Sequence, residues 1–170
     1  VNSTGDNNVA VGALALDANT TASSNTAVGR ASLSANTTGS SNVAVGYNSL
    51  VSNTTASNNT AVGTDALSVN TTGTQNVAVG GLALENNNAN DNTAVGYSTM
   101  EENTTGTHNT AVGAFALEAN TTGSENTAFG KSALGYNVSG DGNTALGRSA
   151  LSANLASENT AVGHDALLSN

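Results

Sequence analysis

The chain has 170 residues and a formal net charge of −9, from twelve acidic against three basic side chains. Only 9% of its residues are charged and 3% aromatic, and Pro, Cys and Trp are absent. This excludes a core of bulky side chains, a disulfide scaffold, a thiolate metal site and the basic stripe that nucleic acid demands.

No apolar run approaches the roughly 18 residues of a membrane span, and no charged-then-apolar leader opens the chain. From the amino end, the first clear element is the segment N-V-A-V-G at Asn8–Gly12. It returns as N-[TV]-A-V-G-x-x-[AS]-L-x-x-N-T-T-G-x-x, led by Asn8, Asn25, Asn42, Asn59, Asn76, Asn92, Asn109, Asn126, Asn143 and Asn159. Counted between the second asparagines, eight repeats have 17 residues and two have 16. Both deletions fall just after that second Asn, before Asn92 and before Asn159, which marks a turn. A weaker 34-residue period, with Ala22 and Ala56 alternating with Gly39 and Gly73, points to duplication of a two-coil unit.

Two apolar clusters separated by Gly, Asn, Thr and Ser in so short a period read as strands and turns, not helices. The fold class is all-β: a parallel β-solenoid of ten coils of 16 to 17 residues with two short strands per coil, residues 1–170 forming one repeat domain. The T-A-V segment is the first strand and Ala-Leu the centre of the second. Stacked at about 4.8 Å, ten coils would span about 48 Å.

Each repeat position then becomes a column. Ala27, Ala44, Ala61 and Ala78 belong to an unbroken alanine column, and Leu33, Leu50, Leu67 and Leu84 to a leucine column with Met100 as its one exception. The strand-ending glycines, among them Gly29, Gly46, Gly63 and Gly80, imply positive φ or a close backbone approach. Asparagine columns are expected to hydrogen-bond along the rod. Charges are expected not to form a column of one sign, since like charges so close would repel.

Because strand side chains alternate, an inward Ala leaves Val28, Val45, Val62, Val95, Val112 and Phe129 outside, an apolar stripe for neighbouring chains. The alternative puts Val and Leu inside and Ala in water; an alanine kept ten times favours the first. A single thin coil is marginal, with ~1.5–3 kcal/mol per buried Leu against about 1–2 kcal/mol of backbone entropy per residue. The chain opens at Val1-Asn2 and closes at Ser169-Asn170, in phase and without caps, which reads as a segment of a longer rod.

The repeat N-[TV]-A-V-G resembles the head repeats of trimeric autotransporter adhesins. The full unit, as in NTAVGAFALEANTTGSE at Asn109–Glu125, also looks like the shafts before endosialidase-type chaperone domains of phage tail fibres. The resemblance implies a left-handed β-roll, three chains side by side, and an extracellular place on a bacterial cell surface or phage virion. The adhesin heads use a shorter period without this Leu.

Enzymatic chemistry is not expected. His108 and His164 fall at different repeat positions, and no nucleophile elbow, zinc motif, phosphate loop or dinucleotide fingerprint occurs. The aspartates Asp6, Asp17, Asp65, Asp91, Asp141 and Asp165 scatter over four repeat positions, unlike a calcium roll, so no cofactor or metal is expected. The adjacent threonines of N-T-T-G are expected to face opposite sides, which argues against an ice-binding grid. The sequons beginning at Asn19, Asn36, Asn53, Asn70, Asn103 and Asn120 read as coincidences of a stacking Asn. The variable row after the glycine, Arg30, Tyr47, Tyr97, Lys131 and Arg148, is a candidate contact row, or simply an exposed turn.

The expected function is a non-catalytic rod of an extracellular fibre or trimeric adhesin, contributing to surface attachment. Its partner is expected to be the chain itself, with a host receptor or glycan second, and no nucleic acid. A self-assembling filament subunit and an ice- or glycan-binding solenoid are the alternatives.

Overall fold

The computed structural model describes residues 3–168; Val1, Asn2, Ser169 and Asn170, on which the reading of how the chain opens and closes depends, lie outside the described residues. Ten three-residue strands form one parallel sheet in chain order. They are β1 (Val9–Val11), β2 (Thr26–Val28), β3 (Val43–Val45), β4 (Thr60–Val62), β5 (Val77–Val79), β6 (Thr93–Val95), β7 (Thr110–Val112), β8 (Thr127–Phe129), β9 (Thr144–Leu146) and β10 (Thr160–Val162). Register is column on column, Ala27 beside Ala44 and Val28 beside Val45. It survives both shortened repeats, with Ala78 beside Ala94 and Ala145 beside Ala161. The chain is thus an all-β parallel solenoid, without a helix among the described residues.

The pleat decides what is inside. Ala27, Ala44, Ala61 and Ala78 are wholly buried, as are Leu33, Leu50, Leu67 and Leu84, while the Thr and Val flanking each Ala face outward. Ala, not Val, is the inward residue of each strand, so the arrangement with Ala in water is not the one adopted.

The second strand per coil is not formed. In the Ala-Leu segment φ changes sign from residue to residue: Ala31 (57°) and Leu33 (51°) are positive and Ser32 between them is not, and the pattern recurs in every coil. An extended strand needs negative φ throughout and alternate side chains on opposite faces. Here Ser32 and Leu33 are adjacent and both buried. Stacking persists without a strand, because the Ala31 N–H donates to Ala13 O of one neighbouring coil (2.8 Å) and the Leu33 N–H to Ser49 O of the other (2.9 Å). Left-handed backbone costs a non-glycine residue about 1–2 kcal/mol. Burying the Leu side chain contributes about 1.5–3 kcal/mol, enough to offset it.

The glycines after β1 to β9 combine positive φ with a close backbone approach, whereas Gly163 after β10 has positive φ alone. At Gly63 φ is +143°, and a Cβ would lie 2.4 Å from Gly80 O.

Two ladders of buried asparagines lock the coils. In the first, Asn42 Oδ1 accepts the Asn59 N–H (3.0 Å), Asn59 Oδ1 accepts the Asn76 N–H (3.0 Å), and Asn59 Nδ2 donates to Gly73 O across the coil (2.8 Å). In the second, Asn53 Nδ2 donates to Asn36 Oδ1 (3.0 Å) and Asn70 Nδ2 to Asn53 Oδ1 (3.1 Å). Both one-residue deletions interrupt this second ladder. Asn87 Nδ2 donates to Ala89 O (2.9 Å) and its Oδ1 accepts from Asn92 Nδ2 (3.3 Å), while Asn70 Oδ1 is left buried without a partner; Asn137 Oδ1, before the other deletion, is left in the same way. Asn88 mends part of the gap: the Thr71 N–H donates to its side-chain Oδ1 (2.8 Å), where in a full coil the Thr37 N–H donates to the backbone carbonyl of Thr54 (2.9 Å).

Inserting one threonine between Asn87 and Asn88 should therefore restore the ladder and raise stability by about 1–2 kcal/mol. The check is the urea midpoint at unchanged slope. A lower midpoint would show that the deletion is structurally preferred.

Candidate interaction surface

Outside the buried columns, the surface is a set of parallel rows set by the repeat. The outer face of the sheet carries two. One is Val28, Val45, Val62, Val95 and Val112, half-buried by the coils above and below, continuing into exposed Phe129 and Leu146. The other, two residues earlier, holds Thr26, Thr60, Thr93, Thr110, Thr127, Thr144 and Thr160 with Val9, Val43 and Val77. Since the β-branched side chains stand perpendicular to the pleat, the face is a regular ribbon of methyl and hydroxyl groups.

The variable row after the glycine is exposed at all five expected positions, and the structure joins its members in pairs. Arg30 Nη1 donates to Tyr47 Oη (3.3 Å) and lies 5.5 Å from that ring's centroid. Tyr97 meets Phe115 edge to face at 5.6 Å, and Lys131 lies over Phe115 at 6.0 Å. Arg148 approaches His164 at 3.4 Å. Sequence reasoning missed Phe115, one residue beyond the row, in a column that mixes Leu14 and Leu82 with small and polar residues.

A column of like charge does exist, contrary to expectation. Glu85, Glu101 and Glu118 occupy the position after the leucine in three successive coils. Burial first, and the neighbouring Glu101 second, raise the carboxyls of Glu85 and Glu118 above the usual carboxylate value. These raised values mean that the folded rod binds protons more tightly than the unfolded chain. The associated stability is complete below the ordinary carboxylate pKa and is lost as pH rises through the raised values. Glu101→Gln should raise the melting temperature at pH 7 and leave it nearly unchanged at pH 4, read by circular dichroism. An equal shift at both pH values would mean that repulsion in this column is not the cause.

Both threonines of the N-T-T-G turn are exposed in Thr71-Thr72 and Thr104-Thr105, not on opposite sides, because the segment is a turn and strand alternation does not apply. The six sequon asparagines are fully or nearly fully buried, so a glycan has no access to them in the folded chain. Among the described residues there is no cavity and no group of three or more His, Cys, Asp or Glu side chains placed to hold a metal ion. His108 and His164 lie on the surface, each beside an aspartate: Asp91 at 3.7 Å and Asp165 at 3.2 Å.

Interior and surface thus divide the work. The inward columns satisfy one another coil by coil, whereas the outer face carries apolar groups for which the chain itself supplies no cover. No protein-family model, curated protein or solved structure matches the chain.

Proposed function

We propose that the chain is a non-catalytic structural rod of an extracellular fibre or trimeric adhesin, on a bacterial cell surface or phage virion, laid side by side with copies of itself. The observation that carries this reading is the Val, Phe and Leu column, exposed or half-exposed on every strand of the sheet. Continuous apolar stripes of this kind on soluble chains mark surfaces that other chains cover. Three chains is the number that the adhesin resemblance suggests. A host receptor or glycan would meet the variable row of Arg30, Tyr47, Tyr97, Lys131 and Arg148.

Native mass measurement tests the reading. At micromolar concentration the particle should contain more than one chain, and Val62→Asp together with Val95→Asp should convert it to single chains that keep their β-sheet spectrum. A single chain at every concentration would reject lateral assembly.

A second reading, a solenoid binding ice or a glycan, is favoured by one observation: seven threonines in one column of a regular outer sheet face. Under it, Thr93→Val and Thr110→Val would abolish thermal hysteresis or glycan retention without altering the mass of the particle.

A further inference from the structure

The row that follows the strand-closing glycine holds every lysine and arginine of the chain: Arg30, Lys131 and Arg148. None of the twelve carboxylates stands in it, although the chain as a whole carries a net charge of −9. Lys131 and Arg148 follow β8 and β9, and His164 follows β10, so the three are stacked at about 4.8 Å per coil. Like charges at that spacing repel. Among the described residues no carboxylate pairs with Arg30, Lys131 or Arg148; the close charged contacts are those of His108 with Asp91 and His164 with Asp165. Toward β6 the strip continues into aromatic rings, Lys131 lying over Phe115 and Phe115 meeting Tyr97 edge to face. From Tyr97 to His164 is four coil spacings, about 19 Å. There is no cavity among the described residues, and small molecules are held in concave sites, so this linear strip suits an extended ligand.

We infer that this strip binds an acidic polysaccharide lying along the rod, with sugar carboxylates on Lys131 and Arg148 and a neighbouring sugar ring on Phe115 and Tyr97. The inference rests on the reading of the variable row as the surface that meets a glycan, and adds the ligand's charge, position and direction. Arginine pairs with a carboxylate through two parallel N–H donors, and an aromatic ring offers a negative face to the C–H groups of a sugar. Nucleic acid fits less well. A duplex carries one charge per ~1.7 Å and calls for many more cations than this strip offers, while the acidic remainder of the chain repels it. Arg30 stands apart from the strip, after β2, and lies over Tyr47. Exposed ion pairs are individually weak and screened by salt, so one rod binds loosely and several rods on one polymer bind more tightly.

The test passes the whole chain at low salt over agarose carrying polygalacturonate, dextran or a DNA duplex, and measures dissociation constants for oligogalacturonate by calorimetry. Retention on polygalacturonate alone, released by added salt, is the expected result. The double variant Lys131→Gln, Arg148→Gln should raise the dissociation constant about tenfold and Phe115→Leu about threefold, with melting unchanged. Arg30→Gln removes a positive charge outside the strip and should change it by no more than about twofold. Binding that survives the double variant, an equal loss in Arg30→Gln, or equal retention on DNA would overturn the inference. Retention on dextran that Tyr97→Ala abolishes would overturn the acidic class of ligand while leaving the row as a glycan surface. Retention on none of the three would overturn both.

Discussion

Gly63→Ala should be among the most damaging single substitutions in the chain, lowering stability by about 3–5 kcal/mol. Two costs add at this position. The φ of +143° is one that an L side chain adopts only under strain, and the new methyl would sit 2.4 Å from Gly80 O and 2.5 Å from Gly80 C, both backbone atoms of the next coil. Backbone cannot move aside without shifting the whole coil, and a solenoid coil is held only by its two neighbours. The loss therefore falls on the joint between β4 and β5, and the two halves should begin to melt independently. Gly81→Ala is the control. A Cβ there meets the Tyr97 ring at 3.5 Å and 3.7 Å, ordinary contact distances. Its cost should stay within about 0.5 kcal/mol. Urea titration followed by circular dichroism decides the matter, and similar midpoints for the two variants would refute the close-approach account.

The glycine column shows why so much of this fold was legible without coordinates. In a stacked repeat each position samples one environment ten times, so a residue that never varies reports a constraint and one that varies freely reports solvent. That logic found the interior alanines, the leucines, the glycines and both asparagine ladders. It failed where backbone conformation is not written in residue type. Leucine is a poor left-handed residue, so nothing in the Ala-Leu cluster announced that Leu33 and its equivalents take positive φ, and the cluster was read as a strand. The adjacent threonines were misplaced for the same reason. The Glu85, Glu101 and Glu118 column, by contrast, is legible in the sequence, one residue after three successive members of the leucine column.

The asparagine ladders carry the other large effect, because they hold register where the core is too thin to do so. Asn59→Ala should cost about 2–4 kcal/mol. The deletion leaves the buried Asn76 N–H without its acceptor, at about 1–3 kcal/mol, and removes one of the two donors to Gly73 O, which keeps Asn70 Nδ2; the Asn59 backbone N–H still donates to Asn42 Oδ1. The second ladder offers an internal comparison that separates hydrogen bonding from mere loss of volume. Asn53 and Asn70 are equivalent in the repeat and equally buried. Asn53 Oδ1 accepts from Asn70 Nδ2, whereas Asn70 Oδ1 faces the first shortened coil with no donor. Asn70→Ala removes an orphan as well as two bonds, so it should cost about 1–2 kcal/mol less than Asn53→Ala. Thr72→Ala, on the exposed turn, should change stability by no more than about 0.5 kcal/mol. Equal losses at Asn53 and Asn70 would mean that the ladder contributes packing alone. A graded loss would show that the one-residue deletion before Asn92 is a built-in weak joint in an otherwise uniform rod.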